Sequence, residues 1–387
     1  MISFKYRIYP NKEQERRLQE TLTTCRHTYN NALAERIEKY KNSNIQLSYI
    51  DQIKNLANNK NEYQKKVHSQ VLQETLKRLD RSFQRFFKGL KKDVKVGLPR
   101  FKNDRRFRSF CYPQSGFKII NDGTHIRLSK IGDIKLRLSR PINGKVKTCT
   151  VVRDVDQWFV VLSCEKSNTS KSYSYTKPSV GIDVGIEKLA TLSDGTIIDN
   201  PRTLAKTQKK LSKAQRKLYK KQKGSNNREK QRIKVAKLHR KIRRQRDDFL
   251  HKISTYLANN YSEIVFEQLN VKGMLKNHCL AKHISDALWH KLIQLTTYKA
   301  ESAGGRVELV DPKYTSQKCS SCGNSVSKTL TDRTHHCPHC GLRMDRDENA
   351  AINILSRVGS TRFQAQGDDV RPDANPNWES RRQSSMN

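Results

Sequence analysis

Acidic side chains are scarce in this sequence: 37 Asp and Glu face 77 Lys and Arg over 387 residues, leaving a formal net charge of +40. An imbalance of that size speaks to partners rather than fold and predicts a polyanionic partner. Long apolar runs are missing too, since only 35% of residues are hydrophobic and no stretch nears the ~18 that a membrane span needs. The opening residues, Met1 to Pro10, lack the ~7–15 apolar positions of a secretory signal. The expectation is a soluble, cytoplasmic protein with no membrane partner. Disulfide spacing is also absent. Of nine cysteines, four form two Cys-x-x-Cys pairs and five are scattered, a usage that favours metal binding in a reducing compartment. No internal repeat is visible, and a chain of this length predicts two or three domains.

What is present begins with Ile2, Phe4, Tyr6 and Ile8 alternating with polar residues up to Pro10, the pattern of a half-buried strand. Asn11 can cap a following helix whose apolar stripe is Leu18, Leu22, Cys25, Tyr29, Leu33, Ile37 and Tyr40. A second helix carries Val71, Leu72, Leu76, Leu79, Phe83, Phe86 and Phe87 and ends near Gly89. From about 110 to 165 the period falls to two, with Asn-Asp-Gly and Pro-Ile-Asn-Gly turns, which predicts a small β-barrel or curled sheet. Residues 166–178 are polar and serine-rich and mark a domain boundary. Strands at Val180–Gly185, Lys188–Leu192 and Thr196–Asp199 then open a second domain. Further on come strands over 263–269 and 306–310, a helix over 285–303, and a polar tail after about 358 expected to lack fixed structure.

Cys319-Ser-Ser-Cys322-Gly and Cys337-Pro-His-Cys340-Gly lie 14 residues apart. Each pair brings two thiolates to one tetrahedral ion, so Cys319, Cys322, Cys337 and Cys340 predict a closed, structural zinc ribbon. A single redox Cys-x-x-Cys would not explain two such pairs. With four thiolates completing the shell, His335, His336 and His339 are expected at the surface, and Cys25, Cys111, Cys149, Cys164 and Cys279 as packing residues.

Asp183 sits in a strand between Ile182 and Val184, where burying a charge is costly without a partner. Gly181 and Gly185 beside it leave room for a phosphate backbone to approach. Glu267 ends a second apolar strand after Ile264-Val-Phe266. Asp345 and Asp347 stand where the ribbon enters a short helix packed through Ala351, Ile354 and Leu355. Singly, each acid reads as a turn residue, a strand end or a helix cap. Together, three carboxylates from two strands and a helix suit two Mg²⁺ ions ~3.5–4 Å apart that hydrolyse a phosphodiester. Asp194, Asp199 and Asp311, at turns and strand ends, read as structural.

In order along the chain, Gly181-Ile-Asp183-Val-Gly185, Phe266-Glu267-Gln-Leu-Asn270, Tyr314-Thr-Ser-Gln-Lys-Cys319-Ser-Ser-Cys322-Gly, Cys337-Pro-His-Cys340-Gly and Asp345-Arg-Asp347-Glu-Asn-Ala-Ala-Ile-Asn-Ile354 resemble the TnpB proteins of bacterial insertion sequences, relatives of the type V CRISPR effectors. Lys5-Tyr-Arg-Ile-Tyr-Pro10 and Leu98-Pro-Arg-Phe-Lys102 are also similar, so the resemblance runs from residue 1 to about 355. It implies an α+β multidomain fold: a wedge β-barrel (1–10 and 110–166) with an inserted helical recognition lobe (11–109). To these it adds a RuvC-like nuclease domain of RNase H fold (178–312 and 345–358) holding a basic helical insertion (202–260) and a zinc ribbon (313–344), with 359–387 as a disordered tail. The activity implied is that of a transposon-encoded, RNA-guided DNA endonuclease, bacterial and nucleoid-associated. Its partners would be a guide RNA from the transposon end and double-stranded target DNA bearing a short flanking motif. Its cofactors would be two catalytic Mg²⁺ and one structural Zn²⁺. Carried over by position, Asp183, Glu267 and Asp347 are the catalytic and Mg²⁺-binding residues, with Asp345 competing for the third place. Arg333 falls where the family places an arginine near the scissile phosphate, although a solvated ribbon charge explains it nearly as well.

Two basic segments are candidate nucleic-acid contacts. Residues 100–110 interleave Arg100, Lys102, Arg105, Arg106 and Arg108 with three phenylalanines. The arginines suit phosphates along a groove, whereas the rings read better as core. Residues 202–246 hold 20 Lys or Arg and one acid, Glu229, with Lys209, Lys210, Arg216, Arg243 and Arg244 the candidate contacts and Gly224–Asn227 dividing the run into a helical hairpin. Such charge density repels itself without polyanion or counterions. Two rival readings remain at this point: a catalytically inactive RNA-guided DNA-binding repressor, and a transposase that joins strands at an RNase H-like site without RNA.

Overall fold

The structure, a computed structural model, describes residues 1–94, 96–165, 177–274, 276, 281, 288–329 and 332–367. Residues 166–176 of the expected linker, Cys279, residues 285–287 of the expected helix and tail residues 368–387 lie outside these. The chain divides into two compact units, Met1–Thr169 and Ser170–Asn387.

In the first unit, β1 (Ile2–Tyr9) leads into α1 (Lys12–Ser43), α2 (Tyr49–Asn58), α3 (Glu62–Lys65) and α4 (Ser69–Lys91). Six strands follow: β2 (Ser109–Tyr112), β3 (Phe117–Ile120), β4 (His125–Leu128), β5 (Gly132–Arg137), β6 (Val146–Asp154) and β7 (Gln157–Cys164). Asn11 starts α1 through a reciprocal cap: its side chain accepts the Gln14 N–H at 2.8 Å, and the Gln14 side chain accepts the Asn11 N–H at 3.0 Å. The strands form one sheet in the order β2-β6-β7-β1-β5-β4-β3. The expected barrel is thus an open sheet: among the described residues no ladder joins β2 to β3, each only four residues long. Phe4, Tyr6 and Ile8 point into the same core as Leu18, Leu22, Leu33, Leu72 and Leu79, so sheet and helices bury one another's apolar faces. Cys25, Cys149 and Cys164 are buried in that core. Burial pushes the Cys25 thiol up to about 12 and makes it inert.

In the second unit, β8 (Ser179–Val184), β9 (Lys188–Leu192) and β10 (Ile197–Asp199) are antiparallel neighbours, followed by α5 (Thr203–Tyr219) and α6 (Asn226–Asn260). Next come β11 (Glu263–Glu267), α7 (Val271–Met274), α8 (Trp289–Ala303) and β12 (Arg306–Val310). The last elements are β13 (Thr334–His336), β14 (Arg343–Asp345) and α9 (Arg346–Gly367). The sheet order is β10-β9-β8-β11-β12, with β11 parallel to both β8 and β12. Alternation decides what each face meets. Val180, Ile182, Val184, Ile264 and Phe266 pack on Leu250, Leu257, Trp289 and Leu292 of α6 and α8. The opposite face presents Val265 to Ile354 and Val358 of α9, and Gly181, Asp183 and Glu267 share that face by the period of two.

Two expectations fail here. The helix predicted from 285 starts at Trp289, preceded by Leu288 in the left-handed region at φ 54°. The helix after the ribbon is not short: α9 runs 22 residues to Gly367, past the point where the tail was expected to lose structure. No proline interrupts it before Pro372. Among the described residues no helix is long and apolar enough to cross a membrane.

Candidate functional site

Glycine builds the site. A Cβ on Gly181 would lie 2.1 Å from the Ala351 carbonyl oxygen and 2.7 Å from the Leu355 nitrogen, and one on Gly185 would lie 2.7 Å from the Lys188 carbonyl oxygen. Both positions therefore admit the protein's own backbone, not a phosphate as the sequence suggested. Gly181 lets α9 lie directly on β8, and that contact carries the first turn of α9 to the strand bearing Asp183.

The parallel register Phe266↔Ile182 puts Glu267 one residue on, alongside Asp183. Asp347 arrives from α9. Burial, and then the negative charges of Glu267 and Asp347, push the Asp183 carboxyl up to about 7, while Arg346 opposes the shift. Both carboxylates therefore act on Asp183 through their charge. Glu267 is itself raised, chiefly by burial; the Thr315 hydroxyl, which donates to its Oε1, and the charge of Arg357 act the other way.

Asp345 does a different job. Its Oδ1 accepts the Asp347 N–H at 2.9 Å and the Glu348 N–H at 3.4 Å, capping α9, while its Oδ2 meets Lys188 Nζ at 2.8 Å. Although burial opposes it, the Lys188 bond holds its pKa below the ordinary value. Both oxygens are engaged in positioning the helix, which leaves Asp347 as the carboxylate of that pair beside Asp183. Among the acids read as structural, Asp194 accepts from the Tyr261 hydroxyl and Asp311 Oδ1 accepts the Lys313 N–H at 3.0 Å.

The Sγ atoms of Cys319, Cys322, Cys337 and Cys340 all lie within 4.8 Å of one another. Cys319–Cys340 and Cys322–Cys337 are 3.6 Å apart, too far for disulfides and close to the ~3.8 Å edge of a tetrahedron with ~2.3 Å Zn–S bonds. Burial opposes ionisation of Cys337, but backbone N–H groups of Cys340 and His339 donate to it and bring it down to about 6. This donor set fits zinc. His336 and His339 are exposed, whereas His335, expected at the surface, is 0% exposed. As the middle residue of β13, paired with Met344, it turns inward, and its Nδ1 meets Lys328 Nζ. Burial, Lys328 and His336 lower its pKa.

The basic residues fall into separate places. Arg100, Arg105, Arg106 and Arg108 are exposed, and Lys102 is half-buried over the Tyr29 ring at 5.8 Å. Of the interleaved rings, Phe107 and Phe110 are core (6% and 1% exposed) while Phe101 is 56% exposed. Lys209, Lys210, Arg216, Arg243 and Arg244 are exposed on α5 and α6. A groove of about 820 Å³ along α5 is lined by Lys209, Lys213, Arg216, Lys217 and Lys220. Arg333 pairs with Glu187 at 3.0 Å at the surface.

Sequence reasoning missed four residues that tie this site together. Lys188 anchors Asp345, and Asn349, Asn353 and Arg357 hold the segment leading into the ribbon. The spacing of four between those last three, i to i+4 to i+8, was the available signal.

Fold and site together define a strongly basic α+β protein with a four-cysteine cluster and, on one side of a mixed sheet, a half-buried Asp183 that feels the charges of Glu267 and Asp347. Residues 161–278 match a family model described as a probable transposase of the OrfB/IS605 type, and 289–354 match one described as a Cas12f1-like TNB domain. A third, described as a helix-turn-helix domain, matches 1–44, although these residues fold as β1 and the single 32-residue helix α1. The chain is 34% identical over 374 residues to the Escherichia coli K12 protein named "Putative RNA-guided DNA endonuclease InsQ", covering 92% of this chain and 91% of that one. It is 37% identical over 380 residues to a Streptomyces pristinaespiralis protein named "Putative RNA-guided DNA endonuclease", with 96% and 92% covered. The CRISPR-associated endodeoxyribonuclease Cas12f1 of Sulfoacidibacillus thermotolerans is 25% identical over 236 residues, 57% of this chain and 56% of its own. The chain belongs to the TnpB family.

Proposed function

We propose that this protein is a transposon-encoded, RNA-guided DNA endonuclease that hydrolyses target DNA at Asp183, Glu267 and Asp347 after recognising a short flanking motif. The observation that carries the reading is that the parallel register of β8 and β11 sets Glu267 alongside Asp183 on the face where Gly181 seats α9, and that burial and the charges of Glu267 and Asp347 raise the Asp183 carboxyl there. Three carboxylates do not gather in a half-buried site for stability, because each charge raises the cost of the next. A divalent cation removes that cost, so the donor set fits Mg²⁺. Bound there, two such ions would activate a water and stabilise the leaving 3′-oxygen. The chain's part is to present the three carboxylates to one face of the sheet and to hold Asp347 through the Asp345 cap, while Arg346, at 3.4 Å from Asp347 Oδ1, offsets part of their charge.

The sheet order, with three antiparallel strands and then two parallel ones and α9 on one face, supports assigning 178–312 and 345–358 to a RuvC-like domain of RNase H fold. The four cysteines support assigning 313–344 to a zinc ribbon, and the basic face of α5 supports 202–260 as an insertion that grips nucleic-acid phosphates. The relatives' names support RNA as the guide and DNA as the target.

The test is to purify the protein from cells carrying its flanking DNA, sequence the retained RNA, and assay Mg²⁺-dependent cleavage of a matching duplex. One dominant RNA is expected, with Asp183→Ala slowing cleavage about 10³-fold or more while RNA binding persists. Unchanged cleavage by that variant would remove the site. Joined DNA products without any RNA requirement would make the protein a strand-transfer transposase.

A further inference from the structure

The segment from Asp311 to Ser320 passes between Glu267 and the cysteine ribbon, and α9 grips it along one stripe. The Arg357 guanidinium donates to the Asp311 and Lys313 carbonyls. The two Asn353 amide hydrogens go to the Thr315 and Lys318 carbonyls, both at 2.8 Å. Asn349, fully buried, donates to the Lys318 carbonyl at 2.8 Å and accepts the Ser320 N–H at 2.9 Å. Tyr314 occupies the left-handed region at φ 62°, an unfavourable conformation for a bulky residue that persists only where the surroundings over-determine it. Its carbonyl accepts the Gln317 and Lys318 N–H groups at 3.2 and 3.0 Å. The result is that the Tyr314 ring faces out and Thr315, 4% exposed, faces in.

Thr315 Oγ1 has two acceptors within reach, Glu267 Oε1 and the Pro312 carbonyl at 3.1 Å. A hydroxyl has one hydrogen to give, and the ionised carboxylate, as the charged acceptor, is the stronger claimant. Holding Oε1 in this way restricts how the carboxylate can turn about its last side-chain bond.

We propose that Thr315 is a positioning residue: its hydroxyl, clamped by the α9 stripe, orients the Glu267 carboxylate for divalent-metal binding. The proposal rests on the carboxylate site put forward above. It gives the ribbon's root a role beyond holding zinc, since the strap that ends at Cys319 is the same one that aims Glu267.

The test compares Thr315→Val, which keeps the shape and loses the hydroxyl, with Thr315→Ser, which keeps the hydroxyl. Mn²⁺ is titrated into the purified full-length complex, and the Mg²⁺ dependence of cleavage is measured in parallel. Thr315→Val is expected to weaken Mn²⁺ binding and raise the half-saturating Mg²⁺ about tenfold, with the maximal rate at saturating Mg²⁺ and the zinc content close to wild type. Thr315→Ser is expected to match wild type. Thr315→Ala carries the same expectation as the valine variant, so a misfolded valine variant does not shelter the proposal. Wild-type metal affinity in Thr315→Val or Thr315→Ala, or an equal defect in Thr315→Ser, would overturn it. Glu267→Gln separates the two levels: if it cleaves normally, the carboxylate reading itself fails. If it is inactive while Thr315→Val binds Mn²⁺ normally, only the role of Thr315 falls.

Discussion

The four thiols of the ribbon and the three carboxylates of the mixed sheet both gather groups that repel one another when ionised, but the chain pins them differently. The thiols come in pairs three residues apart, on turns whose N–H groups already favour the thiolate at Cys337. Local sequence therefore makes most of that site. The carboxylates come from positions 183, 267 and 347 and meet only because Gly181 admits α9 against β8 and because β11 runs parallel to β8. Arg346 and Arg357 relieve only part of their repulsion, and Asp183 still stands raised. On the reading proposed above, one centre would be prepared for its ion by hydrogen bonds and the other by tertiary packing that holds charge in an unfavourable place.

Breaking the thiol side should have the largest effect. Cys337→Ser is expected to lose the zinc and to leave residues 313–345 open to limited proteolysis, because structural zinc is worth on the order of 10 kcal/mol to such small motifs. Since α9 and the ribbon share the strap at 311–320, cleavage should fall as well. Retained zinc with an intact proteolytic pattern would mean that the ribbon does not depend on its fourth thiolate.

A smaller effect sharpens the contrast between core and surface in the first unit. Phe110→Ala should cost about 3–5 kcal/mol in denaturant unfolding, whereas Phe101→Ala, at an exposed position, should stay within about 0.5 kcal/mol. A stability loss at Phe101 comparable to that at Phe110 would contradict the placement of these two rings.

The same comparison explains which parts of the molecule could be read in advance. Strands with strict alternation, such as β1 and β7, and helices with a continuous apolar stripe, such as α1 and α4, were legible because burial writes a period into the sequence. α2 and α3 were not: Tyr49–Asn58 has Gln52 as its one buried residue, and Glu62–Lys65 has none. Their caps, Ser48 with Asp51 and Asn61 with Gln64, were the signals available. At the site, the identities of the acids and cysteines were legible, but the jobs of their neighbours were not. Gly181 looked like access for substrate and is a seat for α9. His335 looked exposed and is buried, because a three-residue strand turns its middle side chain inward. Thr315 carries no charge and only the folded strap reveals it, whereas Asn349 and Asn353 left only their spacing of four, with Arg357, as a signal.

The most direct test of the carboxylate centre is the pH dependence of Mn²⁺ binding to the full-length protein between about pH 5 and 8. A protonated carboxyl cannot ligate a cation, and Asp183 holds its proton up to about 7. Affinity should therefore fall about tenfold for each pH unit below 7 and level off above it. Asp183→Asn should bind weakly and lose most of that dependence. Affinity that is flat across this range in the wild-type protein, or a pH profile unchanged by Asp183→Asn, would contradict a metal site built on Asp183, Glu267 and Asp347.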